Sequence, residues 1–213
     1  MKNNTLDIDI ISDVVCPWCA IGYGRLRKAL DKFAGQIDVN LRWHPFELNP
    51  GMAKEGENLR SHLAAKYGTT LEGSIKARAM LTDLGKKVDF TFNYFDEMKM
   101  LNTHDCHQLL LWASNTGLQT ALALALFEEF FTHQGDFAHE RLLAIVEKVG
   151  LDVKEAQQIL ENQTLSENVK AIENQWAQRG LRGVPAFIFN GEQMISGAQE
   201  AEAFEEVIET LIK

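Results

Sequence analysis

Two cysteines, separated by two residues, lie where a mainly apolar run gives way to a helical pattern. The segment that holds them is Asp13-Val14-Val15-Cys16-Pro17-Trp18-Cys19. The apolar run covers residues 8–15 and the helical pattern begins near Pro17, so a strand, a tight turn and a helix are predicted here. The free backbone N–H groups and the dipole at the start of such a helix favour the thiolate of the first cysteine. We therefore expect Cys16 to be a reactive nucleophile.

The composition argues against two classes of partner. The chain has 213 residues, of which 46% are hydrophobic, so it is long enough to bury a sizeable core. It carries 30 acidic and 21 basic residues, and its net charge of −9 repels phosphate backbones and anionic membrane surfaces. We expect neither nucleic acid nor a membrane surface as a partner.

The N-terminal residues and the cysteine count bear on the compartment. Residues 1–7 lack the apolar core of a secretory signal, and no apolar run approaches the roughly 20 residues that span a bilayer. We therefore expect a cytoplasmic location. Three cysteines do not make a disulfide framework in a chain of this length, so the close pair indicates catalysis, redox sensing or metal binding.

The N-terminal part of the chain predicts a β-α-β unit. Residues 7–11 are apolar, β-branched and short, which favours a buried strand. From Pro17 to Phe33 the apolar residues recur at helical spacing, and Gly35 follows as a stop. Residues 37–43 alternate strictly between apolar and polar side chains, which is typical of a strand with one buried face.

A helical period dominates residues 58–180, where strand patterns nearly vanish. Helices are predicted over residues 58–67, 70–86, 103–115, 118–133, 139–149, 153–161 and 165–179. Capping-box spacing from Asp152 to Glu155 and from Thr164 to Glu167 supports two of these helix starts. Residues 88–92 fit either a short strand or an extended loop.

The C-terminal part of the chain predicts two strands and a helix. Residues 184–189 and 193–195 are strand candidates, and Asn190-Gly191 between them is a strong hairpin signal. Residues 198–212 then form an amphipathic helical pattern.

The order of these elements predicts an α/β fold. A β-α-β unit, a helical stretch and a β-β-α unit, with the cysteine pair after the first strand, form the thioredoxin arrangement with a large all-helical insertion. We assign residues 1–56 and 165–213 to the thioredoxin-like domain and residues 57–164 to the helical insertion domain.

Three interpretations of the cysteine pair are open at this stage. In redox chemistry, the exposed Cys16 attacks a disulfide, and the more buried Cys19 resolves the mixed disulfide. The pair could instead be packed core residues, or half of a zinc site. Zinc would need further ligands, for which Cys106 with His104 or His107 is available. The strand-turn-helix setting favours redox chemistry.

Several motifs together resemble the DsbA family of thioredoxin-fold oxidoreductases. They are Cys16-Pro17-Trp18-Cys19, the helical insertion, and Gly183-Val184-Pro185-Ala186-Phe187 before the hairpin. Others are similar to the FrnE-like branch, namely Phe46-Glu47-Leu48-Asn49-Pro50, Asn102-Thr103 with His107, and Ser196-Gly197-Ala198-Gln199. The resemblance covers nearly the whole chain. It implies that Pro185 is cis, lies against the cysteines and leaves the Val184 backbone to pair with substrate.

We expect substrate to bind beside the cysteines, at Pro17, Trp18, Val184 and Pro185. One departure from the family concerns the residues between the cysteines. DsbA itself has a histidine there that helps to hold the thiolate, whereas Pro17 and Trp18 offer no charge. A milder oxidant is therefore expected, and oxidase, reductase and isomerase activity are all compatible with this pair.

Three further side chains are candidates for lining a cleft or moving protons. Asp13 is either a turn residue or an acid that moves protons for Cys19. His44, at the end of the second strand, could reach the active-site end of the sheet, although an ordinary strand-end histidine is the simpler interpretation. His107 matches the family motif and is a candidate cleft residue. Cys106 is expected to be a buried small hydrophobe.

The leading hypothesis is a cytoplasmic thiol–disulfide oxidoreductase that acts on protein or peptide disulfides through Cys16 and Cys19. It needs no metal and no cofactor beyond this pair, and glutathione is a candidate co-substrate. One alternative is a glutathione-dependent isomerase or transferase similar to the kappa-class transferases and hydroxychromene carboxylate isomerases. Those relatives usually place serine at the position of Cys16, which counts against it. The other alternative is a non-catalytic zinc or partner-binding module.

Overall fold

A mixed four-stranded sheet forms the centre of the thioredoxin-like part of the molecule. The computed structural model describes residues 4–212. In chain order the strands are β1 (Asn4–Ser12), β2 (Ile37–Pro45), β3 (Glu57–Asn58), β4 (Lys99–Met100), β5 (Ala186–Phe189) and β6 (Gln193–Ser196). The main sheet has the order β2-β1-β5-β6, with β1 parallel to β2 and antiparallel to β5. The short strands β3 and β4 pair with each other. Because β1 is an inner strand, the cysteine segment that follows it lies at one end of the sheet, between the ends of β2 and β5.

Nine helices are described within residues 4–212. They are α1 (Pro17–Asp31), α2 (Leu59–Tyr67), α3 (Leu71–Lys86), α4 (His104–Ala113), α5 (Gln119–Phe131), α6 (His139–Val149), α7 (Val153–Asn162), α8 (Ser166–Gln178) and α9 (Ala201–Leu211). None of these nine is both long enough and apolar enough to cross a membrane.

The sheet is buried on both faces. One face packs against α1 and α9, and the buried residues there include Ile8, Ile10, Phe187, Phe189 and Phe204. The other face is covered by α8, and its cluster consists of Ile11, Trp176, Leu181, Ala186 and Ile188. Burial on both faces explains why β5 is a continuous apolar run, and why β1, which alternates from Leu6 to Ile10, ends with two consecutive apolar residues, Ile10 and Ile11.

Trp43 of β2 anchors the helical insertion to the sheet. The amide side chain of Gln119 accepts a hydrogen bond from the Trp43 backbone N–H at 2.9 Å and donates one to its carbonyl at 2.9 Å. The Trp43 indole N–H also donates to the Thr120 hydroxyl at 3.0 Å. Gln119, at the N-terminus of α5, therefore pairs with the backbone N–H and C=O of Trp43 on the outer edge of β2, which no neighbouring strand would pair.

Most elements predicted from the sequence are confirmed. The helices of the insertion, the hairpin and the C-terminal helix lie where periodicity placed them, with ends that shift by a few residues. The side chain of Asp152 caps α7, accepting from the amides of Lys154 and Glu155 at 2.8 and 3.1 Å. Residues 88–92 form an extended loop rather than a strand.

Two details differ from the sequence predictions. The capping box at Thr164 is wrong, because α8 begins at Ser166 after Leu165, which makes no side-chain cap. The Leu165 amide instead donates to the Gln108 side chain at 3.2 Å, so a residue from α4 replaces the local cap. The β3–β4 pair was not predicted, because two-residue strands carry no periodicity.

Candidate functional site

The turn between β1 and α1 fixes the position of both cysteines. The Cys16 amide donates to the Asp13 carbonyl at 3.0 Å, and the Cys19 amide donates to the Cys16 carbonyl at 3.0 Å. Cys16 has an extended backbone and is the N-cap of α1, which begins at Pro17. Proline suits this place because its missing N–H would have no helical acceptor. The predicted strand, turn and helix around Cys16 are confirmed.

The two thiols are free and both are buried. Cys16 is 4% exposed and Cys19 is 1% exposed. The expected exposure of Cys16 is therefore wrong, because the segment before Pro185 and the wall of a cavity cover its sulfur. Burial, and then the neighbouring Cys16 sulfur, raise the pKa of Cys19 well above its usual value, and a hydrogen bond from the Asp13 backbone lowers it by less. Cys19 is accordingly a thiol at neutral pH.

The loop before β5 lies against Cys16. The Val184–Pro185 peptide bond is cis, as the family resemblance implied. The Cys16 thiol lies 3.9 Å from the Val184 carbonyl oxygen, within reach of a sulfur hydrogen bond. A Cβ on Gly22 of α1 would lie 3.2 Å from the Pro185 ring and 3.0 Å from the Phe187 ring. The glycine therefore allows α1 to approach this loop closely.

A cavity of about 380 Å³, here called the thiol cavity, opens beside Cys16. Pro17, Trp18 and Val184 line it on the thioredoxin-like side, and Trp18 is 38% exposed. The helical insertion supplies the opposite wall, which includes Lys66, Arg78 and Tyr94. Burial raises the pKa of the Tyr94 hydroxyl well above its usual value, so this group is neutral.

Asp13 and His107 form a buried pair beneath the cysteines. Their side chains are 0% and 1% exposed, and Asp13 Oδ1 lies 3.4 Å from His107 Nε2. Asp13 Oδ2 accepts a hydrogen bond from the Leu48 amide at 2.8 Å. Asp13 Oδ1 and both ring nitrogens of His107 have no hydrogen-bond partner among the described residues. Unsatisfied buried polar atoms are rare in folded proteins, so this pair calls for a functional explanation.

Not every candidate from the sequence reaches the site. His44 hydrogen-bonds to Asp9 Oδ1 at 2.8 Å and packs edge-on against Trp176, 5.2 Å between ring centres, so it serves the face of the sheet under α8. His107 lies behind the cysteines rather than in a cleft. Cys106 is fully buried, as expected, and burial raises its pKa well above the usual value. Within residues 4–212, no three His, Cys, Asp or Glu side chains come together as a metal site.

A second, larger opening lies in the helical insertion. This acidic cleft has a volume of about 1180 Å³. Its lining carries more acidic than basic side chains, namely Glu47, Glu55, Glu97, Asp105, Asp136 and Glu173 against Lys54, Lys99 and Lys170. His104 hydrogen-bonds within it to Glu47 at 2.7 Å and to Ser166 at 2.8 Å. Sequence reasoning did not predict the cleft, nor Arg78 and Tyr94 in the thiol cavity, since no local motif marks any of them.

The fold and the site together define a thioredoxin-fold protein with a helical insertion and a cysteine pair facing a cis proline. Residues 7–209 match the family model described as the DSBA-like thioredoxin domain. The chain therefore belongs to the DsbA-like thioredoxin family.

Solved structures show the same fold. A probable DsbA oxidoreductase from Streptomyces coelicolor is 31% identical, with a TM-score of 0.90 over 97% of this chain and 89% of that one. A 2-hydroxychromene-2-carboxylate isomerase is 15% identical, with a TM-score of 0.72 over 96% and 95%. The cytosolic disulfide reductase DsbM from Pseudomonas aeruginosa, solved with GSH, is 15% identical, with a TM-score of 0.62 over 96% and 98%. The last two show similarity of fold alone.

Proposed function

We propose that this protein is a thiol–disulfide oxidoreductase in which Cys16 is the nucleophile and Cys19 the resolving thiol. One observation carries the proposal: Cys16 is the N-cap of α1 and opens onto the thiol cavity, with Cys19 behind it. An N-cap thiolate is stabilised by the amides and dipole of the first helical turn. The family supports an oxidoreductase, and protein or peptide disulfides are the substrates we propose.

The reaction proceeds by two thiol exchanges. The Cys16 thiolate attacks one sulfur of a substrate disulfide, forms a mixed disulfide and releases the other sulfur as a thiolate. Cys19 loses its proton and attacks the Cys16 sulfur, which forms the Cys16–Cys19 disulfide and releases the second substrate thiol. Two electrons pass from the protein to the substrate. A dithiol or two monothiols restore the reduced pair by the reverse exchanges, and the same steps run backwards when the protein oxidises a substrate.

Asp13 and His107 are suited to accept the proton of Cys19. Cys19 must lose a proton before it attacks, yet burial raises its pKa. The Asp13 backbone hydrogen-bonds to Cys19, and the unsatisfied Asp13 Oδ1 is in turn 3.4 Å from His107 Nε2. A carboxylate in this place can take up the proton and become neutral, while the negative charge passes to the Cys19 sulfur that attacks Cys16, and the imidazole beside the carboxyl group can hydrogen-bond to it.

The substrate-binding surface that we propose surrounds Cys16. Trp18 presents an exposed indole next to the sulfur, and Val184 presents backbone to an extended peptide. Pro17 and Pro185 bracket the two residues, so all four lie within one patch around the nucleophile. No cofactor is required, because the sulfur atoms carry the electrons. We propose the cytoplasm as the compartment, in keeping with a chain that has no further close cysteine pair.

Trapping of the intermediate tests this function. In Cys19→Ser, the mixed disulfide at Cys16 has no resolving thiol, so incubation with a small disulfide should leave a stable adduct of the substrate's mass, measured on the intact protein. Cys106→Ser is the matched control and should still resolve, because Cys106 is fully buried. A Cys19→Ser protein that folds and forms no adduct at Cys16 would contradict the assignment of the nucleophile.

A further inference from the structure

The thiol cavity has an unusual charge for this protein. The chain carries a net charge of −9, yet the described residues that line the cavity include Lys66 and Arg78 and no aspartate or glutamate. A cavity whose charged wall has one sign attracts ligands of the opposite sign. The nucleophile therefore faces a cationic pocket in an acidic protein.

Arg78 is the cation with an unused donor. Its side chain is 12% exposed, and its Nη1 donates to the Phe95 carbonyl at 3.0 Å. The guanidinium carbon lies 5.4 Å from the centre of the Tyr94 ring. Arg78 Nη2 is buried and has no hydrogen-bond partner among residues 4–212. A buried guanidinium N–H without an acceptor is costly, and a ligand oxygen would satisfy it.

The charge of Arg78 is also poorly compensated. Asp96 is its acidic neighbour at 3.8 Å, but this carboxylate lies closer to Arg60, at 2.9 Å, and is 71% exposed. One solvated carboxylate thus serves two guanidinium groups. Burial, and then the charge of Arg60, lower the pKa of Arg78, in keeping with this incomplete compensation.

Lys66 differs from Arg78 because two of its three donors already have acceptors in the protein, and none of its donors is buried without a partner. Its ammonium donates to the Leu48 carbonyl at 2.9 Å and to Asn49 Oδ1 at 2.6 Å. These bonds hold Lys66 at one wall of the cavity. Arg78 is therefore the lining cation whose buried donor lacks an acceptor among the described residues, and a charge-assisted hydrogen bond from a ligand would satisfy that donor.

We propose that the thiol cavity selects small thiols and disulfides that carry a carboxylate, which Arg78 Nη2 binds while Cys16 attacks the sulfur. At about 380 Å³ the cavity is at the small end of ligand sites, which fits a molecule of a few amino-acid units. The planar fork of arginine suits a carboxylate. This inference rests on the proposed function, because it names the substrate class of the same cysteine pair.

A charge series of small disulfides tests the proposal. The pre-reduced protein is mixed with dithiodipropionate, hydroxyethyl disulfide or cystamine, which are anionic, neutral and cationic at neutral pH. In a single turnover the Cys16–Cys19 dithiol becomes a disulfide, and each substrate disulfide becomes two thiols. The change in tryptophan fluorescence on oxidation of the pair reports the rate, which is divided by the rate of the same disulfide with dithiothreitol. The normalised rate for dithiodipropionate should exceed that for hydroxyethyl disulfide by about tenfold to a hundredfold, with cystamine the slowest.

Variants at position 78 test whether Arg78 causes the preference for the anionic disulfide. Arg78→Met should reduce the ratio of the anionic to the neutral rate to near one. Arg78→Lys should keep part of this ratio above one, because the lysine ammonium keeps the positive charge but not the planar N–H donors of the guanidinium group. Lys76→Met is the matched control: it removes one positive charge from the same helix, but its side chain is 75% exposed and outside the cavity, so the ratio should not change.

The outcomes separate this inference from the proposed function. If folded wild-type protein reacts with none of the three disulfides, the proposed function fails. If it reacts with all three at equal normalised rates, the oxidoreductase assignment stands and the role of Arg78 is overturned. Should Arg78→Met not fold, as judged by thermal unfolding, the Arg78→Lys ratio decides. A ratio between one and the wild-type value supports the role of Arg78, and a ratio equal to a wild-type value well above one overturns it.

Discussion

The thiol cavity and the acidic cleft lie side by side, and they differ in every property that bears on chemistry. The cleft is about three times larger, at 1180 Å³ against 380 Å³, and carboxylates outnumber lysines in its lining. The smaller cavity contains Cys16 and has a cationic wall. The comparison teaches that the larger opening need not be the functional one: we place the proposed reaction in the smaller cavity because of its cysteine and its local charge, and not because of its volume.

A single chain segment and one ring separate the two openings. Glu47 and Pro50 line the acidic cleft, while Leu48 and Asn49 between them line the thiol cavity. Phe130 is 2% exposed and borders both. The two openings therefore share a boundary but differ in the sign of the charge that predominates in their linings. Substitutions on each side can be tested separately.

The largest contrast is expected between Cys16→Ser and a change in the cleft. Loss of the nucleophile should lower the turnover of hydroxyethyl disulfide, with dithiothreitol as reductant, by about a thousandfold or more. Glu97→Gln, which changes one charge of the acidic cleft, should leave this turnover within about twofold of wild type. Equal losses in both folded variants would show that the chemistry is not confined to the thiol cavity.

Phe130→Ala removes part of the wall between the two openings. Because the ring is almost fully buried, the variant should lose about 3–5 kcal/mol of unfolding free energy, measured by urea denaturation. Met194→Ala is the comparison, since this side chain is 57% exposed on β6 and should change stability by less than about 0.5 kcal/mol. A Phe130→Ala protein as stable as Met194→Ala would mean that the wall is not part of the core.

Asp13→Asn should slow the step in which Cys19 resolves the mixed disulfide by about a hundredfold at neutral pH. Burial raises the pKa of Cys19, so without a base the thiolate fraction rises about tenfold per pH unit below that pKa. Rapid-quench measurements from about pH 6 to 9 should therefore give this slope in the variant and a flatter profile in wild type.

Asp9→Asn is the control for the same measurement. It removes a carboxylate from β1 that bonds to Arg42 and His44, away from Cys19, and should keep the wild-type profile. If Asp13→Asn also keeps that profile, Asp13 has only the structural role of accepting from the Leu48 amide, which asparagine preserves.

The smallest effect is expected in the cleft, from His104→Gln. The hydrogen bond to Glu47 raises the pKa of His104 above its usual value. The protonated histidine therefore stabilises the fold fully below the unfolded pKa of about 6.5, and this contribution is lost as the pH rises through the folded pKa. The variant should lose less than about 1 kcal/mol, and lose more at acid than at alkaline pH by urea denaturation. An equal loss at both pH values would exclude the ion pair as its cause.

Much of the fold could be predicted because its signals are local. Helical periodicity located the insertion helices, Asn190-Gly191 located the hairpin, and the run before Cys16 located the strand-turn-helix junction. The failures were at places where a distant residue replaces a local one. Thr164 does not cap α8 because Gln108 from α4 reaches the Leu165 amide.

The site was predicted only in part for the same reason. Cys16, Cys19 and Pro185 carry sequence signatures, and the structure brings Pro185 and both cysteines together. His107 reaches Asp13 because α4 packs against the end of β2, beside the turn that holds Asp13, and His44 does not reach them because Asp9 and Trp176 hold it on another face. Contacts between side chains that are distant in the sequence depend on how whole helices and strands pack.

By itself the sequence determined the cysteine pair, its place at the start of a helix and the succession of strands and helices along the chain, because these depend on residues that are near each other in the sequence. Only the tertiary structure decided the burial of Cys16 and the charge of the cavity that it faces. Arg78 and Tyr94 come from the insertion, and the Val184 loop comes from the far end of the chain. Packing brings them to one nucleophile, and the surroundings of a thiol govern its reactivity.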